Sequence, residues 1–98
     1  MNLRFEWDEW KNTENKMKHG ISFQTAVMVF SDPKRIEIFD WEHSANEDRW
    51  IITGFAGLSI LTVIYTERDG IKRLISARKA NKKEQEEYFN GYGTVYTN

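Results

Sequence analysis

The stretch 60-ILTVIYTERDGIKRLISARKA-80 decides the fold of this chain. Two runs of apolar and β-branched residues flank Asp69-Gly70, and an Asp-Gly pair in that position is one of the strongest short signals for a β-hairpin. A hydrophobic strand pair has no packing use for the polar side chains that this stretch carries, namely Tyr65, Arg68, Lys72, Arg73, Ser76, Arg78 and Lys79. We therefore predict a hairpin whose cations are either solvated on one face or collected there to bind negative charge.

The two faces of this hairpin follow from the length of its turn. With a two-residue loop, Arg68 pairs with Ile71, and Tyr65 lies opposite Leu74. Alternation then places one group on one face, Tyr65, Lys72, Leu74, Ser76 and Arg78, and a second group on the other, Ile64, Thr66, Arg68, Ile71, Arg73, Ile75 and Ala77. A three-residue loop would place Tyr65 with Arg73 instead. We expect the isoleucine-rich group to face the core, which leaves the Tyr65 group as a basic outer face.

Composition restricts the chain to a single small domain. Its 98 residues are 40% hydrophobic and 30% charged, which fits a folded domain with one core. The net charge is −1, but residues 51–98 carry seven bases and five acids, whereas residues 1–50 carry seven bases and ten acids. An anion site would therefore be a local patch near the hairpin.

Several classes of protein are excluded at this point. The chain has no cysteine, which excludes disulfides and cysteine-based zinc sites. The N-terminus lacks the apolar core of a signal peptide, and no apolar run reaches the roughly 18–20 residues of a membrane helix. We expect a cytoplasmic protein.

Caps and periodicity predict the elements before the hairpin. Alternation indicates a short strand over 4–7, and Asp8 is expected to cap a helix that Gly20 ends. Ser22 is expected to cap a second helix, which Asp32-Pro33 ends because the residue before proline is disfavoured in the α region.

The rest of the chain completes a predicted α+β domain. Strands are expected over 35–41 and 50–56, and Gly54 is read as the mark of a bulge. Asn81 is expected to cap a last helix with Glu84 in a capping-box position. We predict one domain over 1–98, built from a four-stranded antiparallel sheet, two N-terminal helices and one C-terminal helix, with a flexible tail over 91–98.

No motif for nucleotide phosphates, for a serine nucleophile or for a metal ion is visible in the sequence. His19 and His43 are the only histidines, and neither has a histidine or acid partner at ligand spacing on a predicted helix. What remains is a polar segment that contains His43, Glu47 and Arg49, together with the basic face of the hairpin.

These residue types suit the cleavage of RNA without a metal ion. A base must take the proton of the 2′-OH, an acid must protonate the leaving 5′ oxygen, and cations must stabilise the phosphorane. His43 or Glu47 could be the base and His43 or Tyr65 the acid, while the phosphate would be held by Arg49, Arg78 and Lys79. Each residue also has a structural reading, as a loop histidine, a surface ion pair or a packed tyrosine. Spacing alone goes no further than an α+β domain with a basic face.

Six pieces of sequence, in this order and at this spacing, resemble the BrnT family of bacterial toxins. They are Phe5-Glu6-Trp7-Asp8, residues 18–23 (KHGISF), Phe30-Ser31-Asp32-Pro33, His43-Ser44 with residues 47–50 (EDRW), Tyr65-Thr66-Glu67-Arg68, and residues 75–80 (ISARKA) followed by Glu84. The resemblance runs from about Phe5 to Tyr88.

The resemblance implies a RelE-like fold and a metal-independent endoribonuclease that halts translation and growth, with no cofactor. It also implies a BrnA-type antitoxin with a ribbon-helix-helix domain, through which the complex would bind operator DNA. The catalytic residues expected from it are His43, Glu47, Arg49, Tyr65 and Arg78, and the RNA- or phosphate-binding residues are Arg68, Lys72, Arg73 and Lys79. The alternative is a toxin-like module that binds an antitoxin or RNA with little catalysis, since the chain has few acid–base groups.

Overall fold

The predicted hairpin forms the centre of a five-stranded mixed sheet. A computed structural model describes residues 3–91, and its strands lie in the order β1-β5-β4-β3-β2. The strands are β1 (Arg4–Glu6), β2 (Ile36–Phe39), β3 (Arg49–Ala56), β4 (Ser59–Arg68) and β5 (Ile71–Lys79). The helices are α1 (Glu9–His19), α2 (Phe23–Ala26) and α3 (Lys82–Asn90), with 3-10 turns at Val27–Ser31 and Trp41–His43.

The α+β class is confirmed, but the prediction of a four-stranded antiparallel sheet is wrong. Strands β2 to β5 are antiparallel neighbours, whereas β1 adds a fifth, parallel strand at the free edge of β5. The two predicted N-terminal helices also differ in detail, because the second is only four residues of α-helix and continues as a 3-10 turn. The part of the tail expected beyond Gly91 lies outside the described residues.

The turn of the hairpin is as predicted. Asp69 and Gly70 both have positive φ, 53° and 79°, as a two-residue hairpin turn with the twist of its strands requires. The expected pairs of Arg68 with Ile71 and of Tyr65 with Leu74 are present.

The predicted faces of the hairpin are wrong, for two reasons. First, Tyr65 and Leu74 are 3% and 1% exposed, so their face is the core face. Second, Ile64 pairs with Ser76, which leaves Ile75 as an extra residue in β5. Such a bulge reverses the alternation beyond it. Ala77 therefore joins Tyr65 on the core face, and Arg78 turns to the opposite face.

These two surfaces of the sheet are called here the helix-covered face and the second face. On the helix-covered face, α2 and the 3-10 turn at 27–31 pack against the sheet. The cluster there contains Ile21, Phe23, Ala26, Val29, Phe30, Ile52, Ala56, Leu61, Val63, Tyr65, Leu74 and Ala77. The second face carries Thr62, Ile64, Thr66, Arg73 and Arg78, and α3 contacts it at the end where Arg78 lies.

Helix α1 closes the edge of the sheet with asparagines. Its Asp8 cap and its Gly20 stop are as predicted, and its Trp10 and Met17 side chains are exposed. The Asn15 side chain is buried, donates to the carbonyls of Ala77 and Ile21 at 2.8 Å, and accepts from the Ala77 N–H at 3.1 Å. The Asn15 amide thus replaces a neighbouring strand where β1 has ended.

Asp32 connects the 3-10 turn, β3 and α3. Its carboxylate accepts hydrogen bonds from the Phe55 and Lys34 N–H groups and from the Tyr88 hydroxyl. The pairing of β3 with β4 has no register shift at Gly54, so the bulge expected there is absent. A Cβ at Gly54 would lie 3.2 Å from the Asp32 carboxylate and 3.3 Å from the Val29 carbonyl, so glycine allows this close approach.

Glu84 attaches α3 to the second face. It completes the predicted capping box with Asn81. The Arg78 guanidinium donates to both Glu84 oxygens, at 2.7 and 2.8 Å, and the Thr62 hydroxyl donates at 3.0 Å. One carboxylate therefore joins the start of α3 to β4 and β5.

We expect Asn15→Ala to lower the free energy of unfolding by about 2–4 kcal/mol, because it leaves a buried N–H and a buried carbonyl of β5 without partners. Urea unfolding of the purified protein measures this. Thr13→Ala, on the exposed side of the same helix, is the matched control and should change stability by no more than about 0.5 kcal/mol. Equal losses in the two variants would contradict this role for Asn15.

We also expect stability to fall in acid through Glu84. Burial raises the pKa of Glu84, but hydrogen bonds from Arg78, Asn81 and Thr62 outweigh burial and bring the pKa below its ordinary value of 4.5. A carboxyl with a lowered folded pKa contributes stability above the unfolded pKa and loses it as the pH falls through the folded pKa. The free energy of unfolding should therefore decline as the pH drops below 4.5.

Urea unfolding across this pH range tests the contribution. Glu84→Gln should lower stability by about 1 kcal/mol at neutral pH and flatten the acid decline, because the pair is partly screened by solvent. Glu86→Gln, an exposed position on α3, should reproduce the wild-type curve. Parallel curves for wild type and Glu84→Gln would refute the assignment.

Candidate active site

Arginines line up across the second face at the end of the sheet near the hairpin turn. The register pairs Arg49 with Thr66, Thr66 with Arg73, and Arg73 with Glu6, so these four residues form one row across β3, β4, β5 and β1. Arg68 lies two residues from Thr66 on the same face of β4. We call Arg49, Arg68 and Arg73 the arginine row.

Two carboxylates hold the arginine row in place. Glu47, just before β3, accepts a hydrogen bond from Arg68 at 2.8 Å and lies 3.8 Å from the Arg49 guanidinium. Glu6 accepts from Arg73 at 2.6 Å. Three guanidinium groups against two carboxylates leave one positive charge unbalanced, and all five side chains are partly open to solvent.

Glu47 is held in its charged form. The hydrogen bond from Arg68 lowers the pKa of Glu47 below its ordinary value, and the charges of the neighbouring arginines act in the same direction. A carboxylate stabilised in this way is a weak proton acceptor. The geometry favours Glu47 as a group that positions arginines over Glu47 as a general base.

Arg49 is the least satisfied member of the arginine row. Its Nε is the one buried side-chain polar atom without a hydrogen-bond partner within residues 3–91. Its guanidinium contacts Glu47 only at 3.8 Å. Buried donors without acceptors are rare, and a phosphate oxygen is an acceptor that suits a guanidinium.

His43 forms a dyad with Asp40 beside this strand end. The His43 Nδ1 lies 3.0 and 3.1 Å from the two Asp40 carboxylate oxygens, and Asp40 is buried while the imidazole is 64% exposed. Because a carboxylate accepts, this contact favours the tautomer with the proton on Nδ1, and Nε2 then faces solvent as a proton acceptor. If the ring is protonated on both nitrogens, its Nδ1–H donates to the Asp40 carboxylate in the same way.

Backbone contacts connect this dyad to Arg49. The Asp40 N–H donates to the Arg49 carbonyl at 2.9 Å. The Ser44 hydroxyl donates to the Asp40 carbonyl and accepts from the Arg49 N–H at 3.0 Å. The segment that carries His43 is thus tied to the strand residue that carries the least satisfied guanidinium.

The same turn contains a group of side chains with metal-binding chemistry. Ligand atoms of Asp40, Glu42 and His43 lie within 4.8 Å of one another. The sequence prediction missed this group because it placed Asp40 in a strand and His43 in a polar segment, whereas a 3-10 turn over Trp41–His43 brings the side chains together. The position of Asp40 three residues before His43 is nevertheless readable in the sequence.

Tyr65 and Lys72 do not join the arginine row. Tyr65 lies on the helix-covered face, packs edge-on against Phe30, and donates to Glu37 at 2.6 Å. Burial and the bond to Glu37 raise the pKa of Tyr65 far above its ordinary value. Lys72 lies on the same face, 2.9 Å from Glu67. The expected grouping of Tyr65 with Arg78 is therefore wrong, because the bulge at Ile75 separates them.

Arg78 and Lys79 lie at the opposite end of the sheet. Arg78 shares the second face with the arginine row, but its pairing partner, Thr62, is four residues from Thr66 along β4, roughly 13 Å. Its guanidinium is engaged by Glu84. Lys79 is exposed at the end of β5. The structure thus brings together Glu47, Arg49, Arg68 and Arg73, with His43 on the adjoining turn.

Comparison with known proteins agrees with the motifs in the sequence. A family model described as "Ribonuclease toxin, BrnT, of type II toxin-antitoxin system" matches residues 7–84. A search of curated proteins found no match. Among the described helices, none has both the length and the apolar character to span a membrane.

The match confirms the predicted family and covers most of the chain, including the His43 turn, the arginine row and Glu84. Its description names a ribonuclease toxin of a type II toxin–antitoxin system, which implies an RNA target and an antitoxin partner. The chain is therefore a member of the BrnT family of ribonuclease toxins of type II toxin–antitoxin systems.

Proposed function

We propose that the chain cleaves RNA internally at the arginine row, without a metal ion, and that a BrnA-type ribbon-helix-helix antitoxin neutralises it. In the proposed reaction the 2′ oxygen attacks the adjacent phosphorus, the bond from phosphorus to the 5′ oxygen breaks, and a 2′,3′-cyclic phosphate forms. One proton leaves the 2′-OH and one is delivered to the 5′ oxygen. The toxin would act in the cytoplasm and halt translation and growth.

The unsatisfied guanidinium of Arg49 carries this proposal. Phosphorane formation places additional negative charge on the non-bridging oxygens, and positioned guanidinium groups stabilise that charge. Arg49 has a buried Nε without an acceptor, and the arginine row has one unbalanced positive charge. A bound phosphate would balance that charge and accept from the partly exposed Arg49 side chain.

His43 is the proposed proton-transfer group. Its contact with buried Asp40 orients the ring and supports an imidazolium formed during the reaction. Glu47 is assigned to positioning Arg49 and Arg68, since its lowered pKa makes it a poor base. Tyr65 is left out of proton transfer, because it is buried on the other face of the sheet.

Arg78 is proposed to hold a more distant phosphate of the same RNA. It lies on the second face with the arginine row, roughly 13 Å away along β4. The surface between them is partly exposed sheet, including Ile64 and Ile51. An extended single strand could therefore cross the face from the arginine row toward Arg78. Lys79 pairs with Leu61 and so belongs to the helix-covered face.

We expect Arg49→Ala to lower the rate of RNA cleavage by about 10²–10³-fold, as for removal of one transition-state donor, with little loss of stability. Purified protein and a labelled single-stranded RNA measure the rate, and growth after induction measures toxicity. Arg35→Ala is the matched control, because Arg35 is also a partly exposed, ion-paired arginine but lies beside the opposite end of β3. A cleavage rate for Arg49→Ala equal to that of Arg35→Ala would sink the assignment.

We expect His43→Ala to reduce cleavage by about 10²–10⁴-fold, the usual contribution of a general acid–base group. Wild-type cleavage should persist in excess EDTA, and the product should carry a 2′,3′-cyclic phosphate. Loss of wild-type activity in EDTA, restored by a divalent cation, would instead assign the group of Asp40, Glu42 and His43 to a metal ion. Intact RNA with folded wild-type protein would favour the alternative of a binding module.

A further inference from the structure

We propose that a second surface, on the helix-covered face, binds a basic, arginine- or lysine-bearing segment of the antitoxin. The surface is a row of aromatic rings that ends at Trp41, with a cleft beside it. The inference relies on the family's protein antitoxin, and it is independent of whether the arginine row binds or cleaves RNA.

The aromatic row is packed edge to face and ends in solvent. Trp50 packs edge-on against Phe39 at 5.1 Å between ring centroids, and Phe39 packs edge-on against Trp41 at 4.5 Å. The Trp41 side chain is nevertheless 85% exposed. A ring that is held by neighbours yet uncovered is typical of an interface anchor, because little conformational entropy is lost when a partner covers it.

An open cleft of about 490 Å³ adjoins this row. Its lining consists of Trp50, Tyr65 and three carboxylates, those of Glu37, Asp48 and Glu67. No basic side chain is among the lining residues. The cleft therefore combines aromatic rings with negative charge, which is the chemistry that recognises ammonium and guanidinium groups.

The charges of this surface are incompletely balanced by the chain itself. Arg35 pairs with Glu37 at 3.1 Å, and Lys72 pairs with Glu67 at 2.9 Å. Within residues 3–91, no salt bridge or side-chain hydrogen bond reaches the carboxylate of Asp48. A cation of the partner would therefore meet the free carboxylate of Asp48 and two carboxylates, those of Glu37 and Glu67, that already have an ion-pair partner in this chain.

Lys72 provides an internal example of the proposed contact. Its ammonium lies 4.9 Å from the centroid of the Tyr65 ring and 5.8 Å from that of Phe30, while it pairs with Glu67. The same face thus already holds one cation between an aromatic ring and a carboxylate. A partner's arginine over Trp50 or Trp41 would repeat that arrangement.

Charge decides between protein and RNA as the occupant. The carboxylates of Glu37, Asp48 and Glu67 would repel a phosphate backbone, whereas the arginine row on the other face would attract it. The two faces at this end of the sheet therefore carry opposite chemistry. A basic protein segment fits the helix-covered face, and RNA fits the second face.

The test uses the full chain and three probes: acetyl-hexaarginine-amide, acetyl-hexaglutamate-amide, and a 2′-O-methyl RNA dodecamer, which cannot be cleaved through its 2′ oxygen. Affinities are measured by fluorescence anisotropy with labelled probes. We expect the wild type to bind the arginine peptide in a salt-sensitive manner. Any binding of the glutamate peptide should depend on the arginine row, and so be weakened by Arg49→Ala and unchanged by Trp41→Ala. Trp41→Ala and Asp48→Asn should each weaken binding of the arginine peptide by about 5- to 30-fold.

Matched controls separate this surface from general attraction to an acidic protein. Trp10→Ala removes another exposed tryptophan, 71% exposed on α1, and Glu86→Gln removes an exposed acid on α3. Both should bind the arginine peptide within about twofold of wild type, near the usual scatter of surface substitutions. Equal weakening by Glu86→Gln and Asp48→Asn would overturn the proposal.

Two other outcomes would also overturn it. If the wild type does not bind the arginine peptide, the surface does not have the proposed chemistry. If Trp41→Ala weakens binding of the RNA dodecamer and leaves the peptide unaffected, the ring serves RNA instead. Arg49→Ala should keep the peptide affinity of wild type, so a failure of the RNA-cleavage proposal can be told apart from a failure of this one.

Discussion

One extra residue in β5 determines which face of the sheet Ala77 and Arg78 occupy. Between Leu74 and Ala77 the strand contains Ile75 without a partner, so both of those neighbours face the core although they are three residues apart. Without the bulge, Ala77 would leave the core, and Arg78 would lie over the helices, a costly place for an unpaired guanidinium. The bulge therefore places Arg78 where Glu84 can meet it and α3 can attach.

The separation of charge between the faces follows from the regular alternation of side chains on the hairpin-turn side of the bulge. The helix-covered face shows acids and aromatic rings at the end near the hairpin turn, and the second face shows the arginine row. The overall charge of −1 hides this division, since the two surfaces nearly cancel. For a toxin that must meet both RNA and a protein inhibitor, opposite faces of one thin sheet offer two binding chemistries without a second domain.

The candidate site is assembled from segments that only folding brings together. Glu6 and Arg73 are 67 positions apart, and Glu47 and Arg68 are 21 apart, yet each pair is hydrogen-bonded. The sequence identified His43, Glu47, Arg49, Arg68 and Arg73 as candidates, partly from residue type and partly from family motifs. It assigned Tyr65 to the same face as Arg78, because strict alternation was assumed across a strand that contains a bulge.

Local chemistry in the sequence by itself determined the ends of the helices, the hairpin turn, the α+β class and the family. Asp8, Asn81, Gly20 and Asp69-Gly70 act on neighbours a few residues away, so their effects are readable without a structure. Tertiary structure alone decided the parallel pairing of β1, the bulge at Ile75 and the face that the helices cover. These features depend on how elements that are distant in sequence pack around one core. The sequence of residues 74–78 (LISAR) does not by itself indicate that Ile75 has no pairing partner.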